Sequence, residues 1–117
     1  MEEEEKKKYT LESLYYLYCN SVVKYSMEVD NTVYDKILLS QIDSWLAQAK
    51  LLRTYFTLTE TGMIYMKFKR WRIDYEEFLE FLQFLCEKTT KITIDDVKKL
   101  LLEAGIPEGR SEIVYVK

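Results

Sequence analysis

From Thr10 onward, apolar residues recur at three- and four-residue spacing. Leu11, Leu14, Tyr15, Tyr18, Val22 and Tyr25 mark one face of a first helix, with Thr10 as its N-cap. The periodicity fails from Ser26 to Asp35, which reads as a surface loop. A second helix is expected over Ile37–Leu52. Its apolar face would carry Leu38, Ile42, Trp45, Leu46, Ala49 and Leu52, with Gln41, Asp43, Gln48 and Lys50 turned away.

The remaining chain shows one pattern three times: a short extended apolar piece, a capping residue, then a helix. Tyr55–Leu58 precedes Thr59, Arg72-Ile73 precedes Asp74, and Lys91-Ile92 precedes Thr93. Glu77 and Asp96, each three residues after its cap, extend the signal toward capping boxes. The fifth helix should stop at Gly105, with Ile106 folding back and Pro107 preventing continuation. With 3 Gly and 1 Pro in the chain, few other breaks are expected.

An extended apolar residue just before an N-cap is also how an EF-hand loop ends. Taking Leu58, Ile73 and Ile92 as eighth loop positions places Leu51, Arg53 and Tyr55, then Met66, Phe68 and Arg70, then Leu85, Glu87 and Thr89 at the first, third and fifth. Calcium takes six to eight oxygens, and these positions supply almost none. The expected fold is therefore all-α: a five-helix, EF-hand-like domain with short bridging strands and no metal. The domain would span residues 10–106, between a charged tail at 1–9 and a C-terminal tail at 107–117.

Composition narrows the chemistry. Histidine is absent, so neither a Ser-His nor a Cys-His pair exists, and Cys19 and Cys86 alone make no zinc site. Both thiols are expected to be buried and reduced. Glu2–Glu5 followed by Lys6–Lys8 lacks the apolar stretch of a signal peptide, and a cytoplasmic location is expected. No Gly-rich phosphate loop is present, and the carboxylates read as caps and solvated faces. The expectation is a non-enzyme without cofactor.

The segment Phe56–Lys69, followed by Ile73-Asp74-Tyr75-Glu76-Glu77-Phe78, resembles the tubulin polymerisation-promoting protein family. That family has a Thr-acid-Thr helix start, an aromatic-x-Lys end and an apolar-polar-aromatic-acid-x-Phe segment. Trp45 and the Lys91–Gly105 stretch occur in matching order, so the resemblance covers about residues 10 to 109. It implies an EF-hand-like domain that binds tubulin and promotes microtubule polymerisation or bundling, with a place on the cytoskeleton. Longer members continue into a Gly- and Lys-rich part, of which only Gly109-Arg110-Ser111 is hinted at here. Nucleotide hydrolysis, associated with some members, is not carried over.

Charge then suggests where a partner would bind. Residues 50–72 carry Lys50, Arg53, Lys67, Lys69, Arg70 and Arg72 against Glu60 alone, a net of +5, whereas residues 73–96 carry −5. A basic sector on a chain of net charge −3 can select an acidic partner such as tubulin tails, while nucleic acid and membranes are disfavoured. An ordinary solvated charge distribution is the plain alternative.

On the third helix, Thr61, Ile64, Phe68 and Trp71 project to one face, taken as core. Met63, Met66, Lys67 and Arg70 project to the other, a partner surface unless another element covers the methionines. The fourth helix has a broad apolar arc from Tyr75 to Cys86. Phe84 falls among its acids and meets either another element, such as the first helix, or a partner. The expected interface is Met63, Met66, Lys67, Lys69, Arg70, Arg72, Lys50 and Arg53. A metal-free EF-hand adaptor for another acidic or helical protein is the rival function.

Overall fold

Five helix N-caps organise the described part of the chain. The computed structural model describes residues 9–21 and 33–107, and within them lie α1 (Leu11–Cys19), α2 (Leu39–Gln48), α3 (Leu58–Tyr65), α4 (Tyr75–Cys86) and α5 (Ile94–Ala104). A 3-10 turn, Met66–Phe68, extends α3. Val22, Tyr25, most of the expected loop, both tails' outer parts and Gly109-Arg110-Ser111 lie outside the described residues.

Thr10, Asp74 and Thr93 cap as expected, each side chain accepting the N–H three residues on, and the box closes at Asp74 with Glu77 but not at Thr93 with Asp96. The cap of α3 is Thr57, not Thr59. Its hydroxyl accepts from Glu60 N, and Thr57 N donates in return to Glu60 Oε1 at 3.0 Å. Leu58 consequently opens a helix instead of bridging. Helix α2 is shorter than expected at both ends, because Ile37 is extended and Lys50 turns left-handed.

The bridging pair is also reassigned. Ile37 pairs antiparallel with Ile73, whereas Leu58 and Ile92 take no part in a bridge among the described residues. Each bridging isoleucine stands one residue before a helix N-cap, the EF-hand arrangement, so the paired loops are those ahead of α2 and α4. In the loop ahead of α4 the fifth position is Arg70 and the twelfth Glu77. Arg70 Nε lies 3.4 Å from Glu77 Oε2, so an internal cation meets the carboxylate that calcium would otherwise claim. In the loop ahead of α2 the twelfth position is Gln41. Among the described residues no acidic, Cys or His group is arranged to hold a metal.

Gln41 does not point away from the core. It is 3% exposed; its Oε1 accepts from Leu38 N, and its Nε2 donates to the carbonyls of Cys19 and Ser21. Gln48 is likewise turned inward, donating to the carbonyls of Ala104 and Ile106 at the end of α5. There Gly105 has φ 76° and ψ −156°, a region open essentially to glycine, while Ile106 is exposed and Pro107 buried.

Trp45 anchors the core. Its ring stacks on Tyr18 from α1 at 4.3 Å and on Phe78 from α4 at 5.3 Å, and Nε1 donates to Leu101 O in α5. Four helices thus converge on one side chain. Cys19 is buried, its thiol pushed up to about 12 by desolvation. Cys86 is only half-buried, contrary to expectation.

Candidate functional site: a basic, methionine-bearing surface

The eight expected interface residues fall on three connected pieces of chain. Lys50 and Arg53 lie on the link between α2 and α3, Met63 on α3, and Met66–Arg72 on the 3-10 turn and the strand-like approach to Ile73. Met63 and Met66 are 60% and 72% exposed, so no described element covers them. Lys67 is exposed with Nζ 5.0 Å over the Phe84 ring, and Phe68 lies 6.1 Å from the same ring. Phe84 therefore meets the end of α3 rather than α1.

The cations differ in freedom. Arg72 is half-buried: its guanidinium lies 3.7 Å over the Tyr34 ring and donates to Lys36 O at 2.7 Å. It is a clamp on the segment before α2. Arg70, itself exposed, is tied to Glu77, whose side chain is only 20% exposed. Lys50, Arg53 and Lys69 are exposed and have φ of 65°, 73° and 55°.

These left-handed residues have structural causes. Lys50 occupies the C′ position of a Schellman end to α2: its N–H reaches Ala47 O, and Leu51 N reaches Leu46 O at 2.8 Å. Arg53 opens the tight turn in which its N–H bonds Phe56 O. Lys69 terminates the 3-10 turn, its N–H on Met66 O. That termination also overturns the projection of Trp71 onto the core. Helical phase is lost at Lys69, and Trp71 is 82% exposed.

Trp71 instead joins a groove of about 540 Å³. Leu38 and Leu39, at the start of α2, form one wall; Tyr65, Met66 and Trp71 form the other, with Lys69 and Arg70 lining the same space. A second groove of about 540 Å³ lies between α2 and the Arg53 turn, lined by Asp43, Ser44, Leu52 and Leu58. Ser40 lines both grooves, so they adjoin across α2. Asp43 Oδ1 is buried without a hydrogen-bond partner, and desolvation raises this carboxyl to about 6 despite the Thr61 hydroxyl beside it.

Leu38, Leu39, Trp71 and Asp43 escape a helical-face reading. Only the run Lys69-Arg70-Trp71-Arg72, a tryptophan among cations, signals the surface in advance. No helix among the described residues is long and apolar enough to cross a membrane.

Comparison with known proteins agrees with the motifs. Neither the curated proteins nor the solved structures gave a match. A family model described as p25-alpha matches residues 23–114, taking in α2 to α5, the bridge pair and both grooves, and starting after α1. The family model, matching well over half of the chain, shows that the chain belongs to the p25-alpha family, the domain of the tubulin polymerisation-promoting proteins.

Proposed function

We propose that this protein binds tubulin or microtubules through the basic surface between Lys50 and Arg72, and promotes microtubule assembly or bundling by bridging acidic sites on the lattice. Its place would be the cytoplasm, on the cytoskeleton, and its action binding rather than catalysis. Family membership supports the tubulin-related part of this reading.

The observation that carries the surface is conformational. Among the described residues, the non-glycine positions with positive φ are Lys50, Arg53 and Lys69, all exposed cations of the basic sector. A left-handed backbone disfavours an L-residue by roughly 1–2 kcal/mol, and glycine or asparagine is its usual occupant. A cation therefore stands at each of the three positions in place of the residue that the backbone favours. The turns themselves need a left-handed residue; what supports the surface is that each of them displays an exposed cation within one basic sector.

Co-sedimentation with microtubules tests the reading. The triple variant Lys50→Gly, Arg53→Gly, Lys69→Gly should melt no lower than the parent yet pellet less with microtubules. Binding by the parent should fall as salt rises, because the Debye length is only ~8 Å at physiological ionic strength. Failure of the parent to pellet at low salt would overturn the tubulin reading. Pelleting of the triple variant like the parent would remove the basic surface from it.

A further inference from the structure

The groove between the start of α2 and the Tyr65–Trp71 segment combines apolar walls with cations, and nothing in the proposed tubulin contact requires the apolar part. Simple attraction to an acidic partner needs only exposed Lys and Arg. Here Trp71, 82% exposed, stands beside Met66, 72% exposed, across from Leu38 and Leu39. Exposed tryptophan is uncommon on a surface that has no partner, and Trp and Arg dominate binding hot spots.

Size limits what can enter. About 540 Å³ is within the range of small-ligand clefts (~300–1,000 Å³) and takes a few side-chain groups, not the face of a folded domain. Charge selects the rest. Lys69 is exposed and has no ion pair among the described residues, and Arg70 is held only by Glu77, at 3.4 Å and with its own side chain 56% exposed. The Glu77 side chain is only 20% exposed, so an incoming carboxylate shares the open side of the guanidinium instead of displacing that partner.

We propose that this groove is a docking site for an acidic peptide segment carrying one large apolar side chain, which inserts between Leu39, Met66 and Trp71 while neighbouring carboxylates pair with Lys69 and Arg70. The inference deepens the proposed function and rests on its premise that the basic surface takes an acidic partner. It adds that recognition requires an apolar anchor, so that a uniformly acidic chain is a poor ligand. Methionine, with its flexible thioether, adapts the wall to the inserted group.

The chain supplies its own reporter. Of its 2 tryptophans, Trp45 is sealed between Tyr18 and Phe78, so a ligand-induced change in emission reports Trp71. The full-length protein is titrated with a glutamate-rich peptide bearing one central phenylalanine, and with the same peptide bearing alanine there. The phenylalanine peptide should shift Trp71 emission to the blue and protect it from acrylamide. Alanine in the peptide, or Lys69→Glu in the protein, should weaken binding about tenfold or more, equivalent to ~1.4 kcal/mol or more.

Equal affinity for the two peptides would overturn the anchor, and an unchanged Trp71 emission at saturation would overturn the site. A blue shift on concentrating the protein alone would make a second copy the occupant. A shift with phosphatidylserine vesicles but not with peptide would make it a lipid surface. Either result overturns the proposal. Because tubulin is absent from this titration, its outcome separates from that of the microtubule assay. Peptide binding by a protein that never pellets supports the groove and removes only the tubulin reading. Pelleting with no peptide effect removes only the groove.

Discussion

Ile37 and Ile73 exchange both main-chain hydrogen bonds, at 2.8 and 3.0 Å, and each carbonyl also accepts a tyrosine hydroxyl. Tyr15 in α1 donates to Ile73 O and Tyr65 in α3 donates to Ile37 O, so the bridge is clamped from two helices. Burial raises both phenols, Tyr65 to about 12, which keeps them protonated donors at neutral pH. Tyr15→Phe and Tyr65→Phe should each lower stability by about 1 kcal/mol, the net value of a typical buried hydrogen bond. In the double variant the losses should exceed or fall short of their sum, since both act on one bridge. Urea titration of the four proteins measures this.

A second expectation concerns pH. Asp43 is raised from 3.8 to about 6 by desolvation, so the folded state binds its proton more tightly than the unfolded chain. The carboxyl's contribution to stability is thus most favourable below about pH 4 and is lost as pH rises through about 6. Asp43→Asn removes the buried charge while keeping a polar group of equal size. It should raise stability at pH 7 by about 1 kcal/mol, within the ~3 kcal/mol that a two-unit shift allows, and change it little near pH 4. Thermal melts at the two pH values check the sign.

The buried amide of Gln41 offers a harsher change. Replacement by leucine preserves bulk but strips partners from Leu38 N–H and from the carbonyls of Cys19 and Ser21. A loss of about 2–4 kcal/mol is expected, at one to three per stranded buried group with partial rescue by water. Gln41→Glu, which keeps the acceptor and loses the donors, should be intermediate or worse at neutral pH. Equilibrium unfolding ranks the variants.

Charge reversal must respect the Arg70–Glu77 pair. Glu77 also accepts from Asp74 N in the α4 capping box, so Arg70→Glu would press two carboxylates together and disturb that cap. Lys67→Glu with Lys69→Glu avoids this. The double variant should fold within about 1 kcal/mol of the parent and lose microtubule co-sedimentation, whereas Glu76→Lys with Glu80→Lys should leave it intact or strengthen it. Circular dichroism with pelleting assays separates folding from binding.

The helices and their caps were legible in the sequence wherever one rule governed one residue. Thr10, Asp74 and Thr93 each had a capping side chain and a helix immediately after, and each caps as read. Thr57 and Thr59 competed for the same role, and the reciprocal Glu60 bond decided it. The bridge partner is not legible, because Ile37 follows a stretch without periodicity and nothing local marks it as the twin of Ile73. Gln41, Gln48 and Trp71 depart from their helical projections for a shared reason. A helical projection assigns faces by phase, but it sees neither carbonyls left open at another helix's end nor a left-handed residue that resets the phase. The basic sector was legible from charge alone; its apolar groove needed the start of α2 folded against it.

The Ile37–Ile73 ladder has a consequence for exchange with heavy water. Each of its two amides is covered by the other residue's carbonyl, and residues 38–72, with all of α2 and α3, lie between them. Neither proton can be released by fraying a helix end, since both become exposed only when the two strand-like segments part. The pair therefore exchanges as one, at a common opening free energy.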